Sequence, residues 1–209
     1  MTRTLLPGVL AMAAIVVASN ILVQFLLLDG LLTWGAFTYP FAFLVTDLMN
    51  RLYGVSAARK VVFTGFLVGV VCSLIGSQIM LEYGPAVPLR IAIASGTAFL
   101  IAQLFDVAVF NRLRAGSWWR APLVSSVLGS ALDTALFFTI AFAGFLSFGA
   151  AADGQVSWAL DAMPFMTLGA PAPLWVTLGV ADWLVKLAVA LIALLPFRLI
   201  VGALSPRAV

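Results

Sequence analysis

Residues 89–110 read LRIAIASGTAFLIAQLFDVAVF, an apolar stretch that contains one basic and one acidic residue. A helix of about 20 mostly apolar residues crosses the hydrocarbon core of a bilayer, because each residue adds about 1.5 Å. Five further stretches of the chain have the same character. We therefore predict an all-α membrane protein, a single bundle of six transmembrane helices that run approximately over residues 5–28, 32–50, 61–81, 89–110, 122–148 and 174–200.

The composition supports a membrane protein. Of the 209 residues, 64% are hydrophobic and 9% are charged, whereas about a quarter of the residues of a soluble domain are charged. No polar, Pro/Gly/Ser-rich linker separates two apolar blocks. Residues 1–209 are therefore predicted to form one integral membrane domain.

The charges predict the orientation. Positively charged loops stay in the cytoplasm. The side with Asp29, Glu82, Asp153 and Asp161 has Arg90 as its only basic residue. Both termini are therefore predicted in the cytoplasm, with the protein in the cell inner membrane. The basic residues of the connections and ends on the cytoplasmic side are Arg3, Arg51, Arg59, Lys60, Arg112, Arg114, Arg120, Arg198 and Arg207.

Several classes of function are disfavoured by the residues that the chain lacks. It has no histidine and one cysteine, Cys72, which argues against His-based catalysis and a transition-metal site. It has no Gly-rich loop ending in Lys-Ser or Lys-Thr, so it is not expected to hydrolyse ATP in the P-loop manner. No cofactor and no nucleic-acid partner is expected. An intramembrane aspartyl hydrolase is the enzyme alternative, although no paired motif favours it.

Polar residues inside the apolar segments are the candidates for function, because an ionisable group in hydrocarbon costs several kcal/mol and usually faces a partner or a wet cavity. In residues 122–148, Ser126, Ser130, Asp133 and Phe137 follow a helical spacing and form one stripe. Similar polar positions occur in four other segments: Asn20 with Gln24, Asp47 with Arg51, Gln103 with Asp106, and Asp182 with Lys186. We expect these faces to meet in a shared interior.

A structural role is the alternative for some of these residues. Asp182 and Lys186 are four residues apart with the acid first, and so are Asp47 and Arg51, so each pair could neutralise itself and only join helices. Asp133 has no basic residue one turn away in its own segment. Its partner must come from another helix, from water or from a ligand, which favours a functional role.

The combination of these motifs resembles the queuosine precursor transporter family of bacteria and archaea, also called the vitamin uptake transporter family. Residues 149–173 have no recognisable pattern. The matching stretches are TWGAFTYPF at 33–41, FLVTDL at 43–48, YG at 53–54, QLFD at 103–106, SSVLGS at 125–130, DT at 133–134, FF at 137–138 and ADWLVK at 181–186.

The resemblance implies import of 7-cyano-7-deazaguanine, and of its aminomethyl relative, for synthesis of queuosine in tRNA. Adjacent N–H groups of such a base suit a carboxylate, and its carbonyl suits Asn or Gln. We expect Asp133 or Asp106 to bind the base edge. The full set of candidate substrate-binding residues is Asn20, Gln24, Asp47, Gln103, Asp106, Ser130, Asp133, Asp182 and Lys186.

The energy source stays open at this level. Uptake could be facilitated diffusion with trapping, proton coupling through Asp133 or Asp182, or dependence on a separate ATPase, as in the substrate-capture subunits of vitamin importers. Such a subunit for another small heterocycle is the main alternative function, and a helix-bundle assembly factor without transport is the second. A homo-oligomer is compatible with either.

Overall fold

The computed structural model describes residues 5–82 and 84–204. Its helices are α1 (Leu6–Leu22), α2 (Trp34–Thr38), α3 (Phe41–Tyr53), α4 (Val55–Gly76), α5 (Leu89–Leu113), α6 (Arg120–Phe142), α7 (Ala150–Gly154) and α8 (Leu174–Leu204). Single turns of 3₁₀ helix cover Leu28–Gly30, Ser157–Leu160 and Phe165–Thr167. Three short antiparallel hairpins pair β1 (Leu26–Leu27) with β2 (Leu32–Thr33), β3 (Met80–Leu81) with β4 (Gly84–Pro85), and β5 (Ala162–Pro164) with β6 (Pro171–Pro173).

Four of the described helices, α4, α5, α6 and α8, are long and apolar enough to cross a membrane, and α1 is an apolar helix that is shorter than these. The hairpins have two or three residues per strand and lie between helices, so they add no sheet to the core. The prediction of an all-α, multi-pass membrane protein is confirmed.

Residues 32–50 were predicted to form one helix, but the structure divides this segment between α2 and α3. Pro40 lies at the junction, and proline has no N–H to continue the helical hydrogen bonds. Tyr39 and Pro40 keep right-handed helical dihedral angles (φ −56°, ψ −41° and φ −60°, ψ −20°). The segment is therefore a proline-kinked helix, and the kink faces the polar interior described below.

Three other predicted segments extend beyond their helices. The segment predicted over 61–81 is displaced, since α4 begins at Val55 and ends at Gly76 and the predicted end falls in β3. α1 ends at Leu22, before the predicted end at Leu28, and the chain then reverses through β1 and β2 with Leu28 and Asp29 at positive φ. α6 ends at Phe142, because Ala143 adopts an extended conformation (ψ 127°). The apolar residues that follow these helices belong to connecting segments, which hydropathy by itself does not distinguish from helix ends.

The apolar core lies between α1, α3, α4 and α5. Met12, Val61, Val62 and Val107 are buried there, and Gly65 lets α4 approach the side chain of Met12. Large aliphatic side chains on α4 and α8 are exposed on the outside of the bundle, as expected of surfaces in contact with lipid: Leu67, Leu74, Leu191, Ile192, Leu195 and Leu199. The polar side chains collect on the other side of α3, where α5, α6 and α8 meet it.

Candidate functional site

A cluster of buried polar side chains lies where α3, α5, α6 and α8 meet. Buried polar side chains are nearly always hydrogen-bonded, and in this cluster the donors and acceptors come from different helices. Its members are nearly inaccessible to solvent: Thr46, Asp47, Asn50, Gln103, Asp106, Ser125, Ser126, Ser130, Asp133, Thr134 and Lys186.

Lys186 of α8 is the centre of one half of this cluster. Its Nζ lies 2.7 Å from Oδ2 of Asp133 on α6 and 2.5 Å from Oδ2 of Asp182, one turn earlier on α8. The Lys186 side chain is about 5% exposed. One ammonium group therefore neutralises charge on two helices at once, and it joins α6 to α8.

Neighbouring hydroxyl groups complete this ion cluster. The Thr134 hydroxyl accepts a hydrogen bond from Lys186 Nζ (2.9 Å) and donates one to Asp182 (2.9 Å). The phenol of Tyr39, at the kink between α2 and α3, donates to the second oxygen of Asp133 at 2.8 Å. Both oxygens of Asp133 thus have protein partners.

Asp47 of α3 is the centre of the other half. Its two carboxylate oxygens accept hydrogen bonds from the hydroxyls of Ser125 (3.1 Å) and Ser126 (3.2 Å) on α6. The carboxyl of Asp106 on α5 lies beside Asp47, at the interface where Thr46 meets Gln103 and Asn50 meets Val107. Neither oxygen of Asp106 has a hydrogen-bond donor among the described residues. Gly129 makes room for this approach, since a Cβ there would lie 3.2 Å from the Asp106 Cβ.

The interface between α3 and α5 is also polar. Thr46 donates to the Gln103 side-chain carbonyl at 2.6 Å, and the Asn50 amide donates to the Val107 carbonyl at 3.0 Å. The Gln103 amide nitrogen and the Asn50 side-chain oxygen are buried without a partner in the described chain. Such unsatisfied buried groups are costly and are rare in folded proteins.

A small cavity of about 10 Å³ connects the two halves of the cluster. On this measure about 10–15 Å³ is needed for one water molecule, so the site is closed in this conformation. Apolar side chains of α3, α6 and α8, together with Pro40 at the kink, form the rest of its wall. Its polar lining consists of Asp47, Ser126, Ser130 and Lys186, and its aromatic lining of Phe43 and Phe197.

Comparison with protein families shows which family the chain belongs to. The profile of the family described as "Putative vitamin uptake transporter" matches residues 33–201, from the strand before α2 to the last turn of α8. The chain belongs to this family. The family resemblance that the sequence motifs carry is confirmed, and the family is one of transporters, not of enzymes.

The relatives have more specific descriptions. "Probable queuosine precursor transporter" of Haemophilus influenzae is 38% identical over 175 residues, which cover 78% of this chain and 66% of the relative. "Queuosine precursor transporter" of Escherichia coli K12 is 38% identical over 141 residues, 61% of this chain and 64% of the relative. The Bacillus subtilis relative, also described as a probable queuosine precursor transporter, is 27% identical over 182 residues, 78% of this chain and 68% of the relative. The matches thus span about two thirds of the relatives' length. No solved structure matches the chain significantly.

The structure of this family member brings together seven of the nine predicted site residues. The two exceptions are on α1. The Asn20 amide donates to the Val16 carbonyl of its own helix at 2.9 Å, and Gln24, exposed beyond the end of α1, donates to the Ala86 carbonyl at 3.1 Å. Both lie outside the cluster, because α1 packs mainly against α4, α2 and α3 and not against α5, α6 and α8, and their role in binding stays a prediction. The seven that lie in the cluster are Asp47, Gln103, Asp106, Ser130, Asp133, Asp182 and Lys186.

The suggested ion pair of Asp47 with Arg51 is wrong, because each of these side chains has other partners. Asp47 bonds with the serines of α6, and Arg51 donates to the Arg114 backbone carbonyl at 2.6 Å. Packing of α3 against α6 decides the direction of Asp47, and Arg51 is at the helix end, where it reaches the next loop. The pair Asp182 and Lys186 does form, and Asp133 finds its partner on another helix.

Sequence reasoning missed several members of the cluster. Tyr39 and Thr134 lie within the matched motifs but are uncharged, so nothing in their spacing marked them.

Arg90, which lies outside the cluster, was assigned to the loop side with few positive charges, yet it is 2% exposed. Its guanidinium donates to the carbonyls of Ile140 (2.8 Å) and Ala143 (2.7 Å) and forms an ion pair with Asp153 of α7 at 2.9 Å. Arg90 therefore ties the start of α5 to the end of α6.

Asp153 is also held by the connection that follows α6. The Ser147 hydroxyl (2.6 Å) and the Phe148 N–H (3.0 Å) donate to it, and these hydrogen bonds, together with Arg90, lower the pKa of the Asp153 carboxyl. Asp153 thus anchors α7 over this end of the bundle. As for metals, the described residues include no group of three Cys, Asp or Glu side chains placed to hold an ion.

Proposed function

We propose that this protein imports queuosine precursors, 7-cyano-7-deazaguanine and its aminomethyl relative, across the cell inner membrane for the synthesis of queuosine in tRNA. The observation that carries the proposal is the 38% identity to relatives described as queuosine precursor transporters. The buried polar cavity among membrane-type helices supports it, because polar groups inside a membrane bundle are costly and usually serve a ligand or a transport pathway.

The lining of the cavity suits a flat, polar heterocycle. The Asp47 carboxylate has more acceptor positions than its two serine donors fill, so it can accept the adjacent N–H groups of a deazaguanine. The Ser130 hydroxyl, which here donates to the Val127 carbonyl of its own helix, can donate to the carbonyl of the base. Phe43 and Phe197 offer apolar faces for the ring. The base-edge ligand that we expected at Asp133 or Asp106 is better assigned to Asp47, because Asp47 lines the cavity whereas Asp133 and Asp106 lie outside its lining.

The substrate cannot enter the site in this conformation. A water molecule occupies about 30 Å³ in the liquid, and a bicyclic base is several times larger than the cavity. Entry therefore requires α3, α6 and α8 to move apart, and this closed arrangement corresponds to an occluded step of alternating access. The proline kink at Pro40, which lines the cavity, is a natural position for such a movement.

The orientation belongs to the same proposal: six spans formed by α1, α2 with α3, α4, α5, α6 and α8, and both termini in the cytoplasm. Arg3 and Arg207 lie outside the described residues, so their side is inferred from the other basic loops. We would test the orientation in a Cys72→Ser background with Ser117→Cys, in the exposed loop before α6, and Ser157→Cys, beyond α7. A membrane-impermeant maleimide applied to spheroplasts should label Ser157→Cys alone. Labelling of Ser117→Cys alone would reverse the orientation.

The function itself is tested in cells that cannot synthesise the precursor. With the gene, labelled 7-cyano-7-deazaguanine should enter the cells, and queuosine should appear in tRNA at low external precursor. If the membrane-inserted protein restores neither, the assigned substrate is wrong.

A matched pair of variants on α8 tests the site. Ala190 lines the cavity, whereas Ala188 lies on the exposed face of the same helix. Ala190→Leu fills the cavity and is expected to abolish most uptake at unchanged protein abundance, while Ala188→Leu retains it. Equal uptake by both variants would show that the substrate binds elsewhere.

A further inference from the structure

The interior of the bundle contains more acids than bases. Four aspartates lie in the cluster, Asp47, Asp106, Asp133 and Asp182, and Lys186 is the one cation that the described helices place among them. Lys186 forms ion pairs with Asp133 and Asp182, so Asp47 and Asp106 have no cation partner in the described part of the chain. An ionised carboxylate removed from water costs several kcal/mol unless such a partner compensates for it.

The contact between Asp47 and Asp106 adds a second argument. Both residues are at most 1% exposed, and they share the α3–α5 interface between two hydrogen bonds that cross it, from Thr46 to Gln103 and from Asn50 to Val107, so their carboxyl groups are neighbours. Asp47 has two serine donors, but Asp106 has no donor within the described chain. Two buried carboxylates in contact repel each other and cannot both be ionised at low cost, whereas one shared proton turns the repulsion into a hydrogen bond.

Among the residues that the structure describes, the elements around the pair bring no other charged group that would balance it. On α3 itself, Arg51 is turned to the Arg114 carbonyl, and on α8 Lys186 is held by its two aspartates. The helical residues of α1 include no ionisable group, and the basic residues of α4 are exposed. α6 faces the pair with the hydroxyls of Ser125 and Ser126, and Tyr39 at the α2–α3 kink donates to Asp133.

We propose that Asp47 and Asp106 hold one proton between them and form the site at which this transporter couples to the proton gradient. This inference rests on the proposed transport function. It replaces our expectation of Asp133 or Asp182 as the proton carrier, because both of these are tied to Lys186. Asp47 also lines the substrate cavity, so substrate and proton meet at one carboxylate.

The proton step is simple. In the closed conformation the pair shares the proton, and when α3 separates from α5 and α6, water reaches the carboxyl groups. The O–H bond then breaks, the proton passes to water on the cytoplasmic side, and two hydrated carboxylates remain. The substrate-free bundle returns with the two ionised carboxyl groups apart and hydrated. On the other side the pair takes up a proton from the more acidic water, and the helices can then close again.

Infrared spectroscopy of the purified protein tests the shared proton without transport. The wild type should show, at neutral pH, the C=O stretching band of a protonated carboxylic acid that shifts in D₂O. Asp47→Asn and Asp106→Asn should each shift this band, because the acid that remains loses its carboxyl partner, and the double variant Asp47→Asn, Asp106→Asn should lose it, while Asp133→Asn, a matched change of an equally buried aspartate, should leave it in place. Absence of the band in the wild type, or its persistence in the double variant, would overturn the proposal.

Proteoliposomes that contain this protein alone test the coupling. Uptake of labelled 7-cyano-7-deazaguanine should be accelerated by an acidic exterior, and Asp106→Asn should lose this stimulation. Wild-type uptake that ignores the gradient would reject the coupling and leave the transport function intact. If the wild type neither imports nor exchanges the base, the transport function fails, and the infrared band still decides whether the pair holds a proton.

Discussion

Lys186 carries an unusual share of the interactions within the bundle. Its ammonium group contacts two carboxylates and a threonine hydroxyl on two helices, and it lies 5.4 Å from the centre of the Tyr39 ring. A buried ion pair is a weak source of net stability, but removal of one member leaves an uncompensated charge in the interior. The main effect of removing Lys186 would therefore be to leave the buried carboxylates of Asp133 and Asp182 without a cation.

Lys186→Met is expected to lower the free energy of unfolding by about 3–5 kcal/mol, because Asp133 and Asp182 would both stay buried without a cation. Thermal unfolding of the purified protein in detergent measures the change. The only other lysine, Lys60, is exposed on α4, and Lys60→Met serves as the control with little effect. The double variant Lys186→Met, Asp133→Asn should recover part of the loss. A single variant as stable as the wild type would contradict the role given to this ion cluster.

At the scale of the elements, α6 organises the site. One face of this helix presents Ser126, Ser130 and Asp133 to the interior, and Gly129 beside them allows α3 and α5 to approach. A Cβ at Gly129 would lie 2.8 Å from the Phe43 ring and 3.2 Å from the Asp106 Cβ. Close packing at this glycine therefore controls the spacing of the Asp47–Asp106 pair.

Gly129→Ala is expected to destabilise the protein by about 1–3 kcal/mol, since the extra methyl group overpacks a tight three-helix contact. Gly202→Ala on α8 is the matched control, because nothing lies within 4 Å of its Cβ and alanine favours the helix there. Unfolding midpoints in detergent compare the two. Equal stability of both variants would show that α6 does not pack as closely as described.

At the scale of the whole molecule, the end of the bundle opposite the basic loops is closed by the connection between α6 and α8. Arg90 joins α5, the end of α6 and α7 through Asp153, and its guanidinium also lies 5.3 Å from the Phe148 ring. Trp158 packs on Phe142 at 5.6 Å between ring centres. This connection covers the helix ends and holds them in the closed arrangement.

The Asp153 contribution to stability should depend on pH. Because its pKa is lowered in the folded protein, its contribution is fully present above the unfolded pKa of about 3.9 and is lost as the pH falls through the lower, folded pKa. Asp153→Asn should therefore unfold at a lower temperature than the wild type at neutral pH, and the difference should shrink in acid below about pH 4. Asp161→Asn, an exposed aspartate of the same connection, is the control. A difference that stays constant with pH would exclude the ionised Asp153 as the anchor.

The membrane-helix content and the polar stripes were predictable from the sequence, because both are local properties. Hydropathy over about 20 residues and the 3.6-residue period depend on neighbours along the chain. The motif combination also carried the family, and the isolation of Asp133 on its own helix correctly pointed to a partner elsewhere. The ends of α1 and α6 and the kink at Pro40 were less predictable, since apolar connecting segments have the same composition as the helices.

Only the tertiary structure decided which polar groups meet. Tertiary packing decides which helices are neighbours and which faces they present to each other. The sequence therefore could not show that α1 lies away from the cluster with Asn20 bonded within its own helix, or that Asp47 bonds to Ser125 and Ser126 in place of Arg51. The same packing brings Asp106 against Asp47 and leaves Lys186 to Asp133 and Asp182. The chain alone thus determined a membrane bundle with polar faces. The contacts between helices determined where its charges are paired and where a proton is needed. The physical reason is that pairing depends on distances between helices, which the spacing within one helix does not contain.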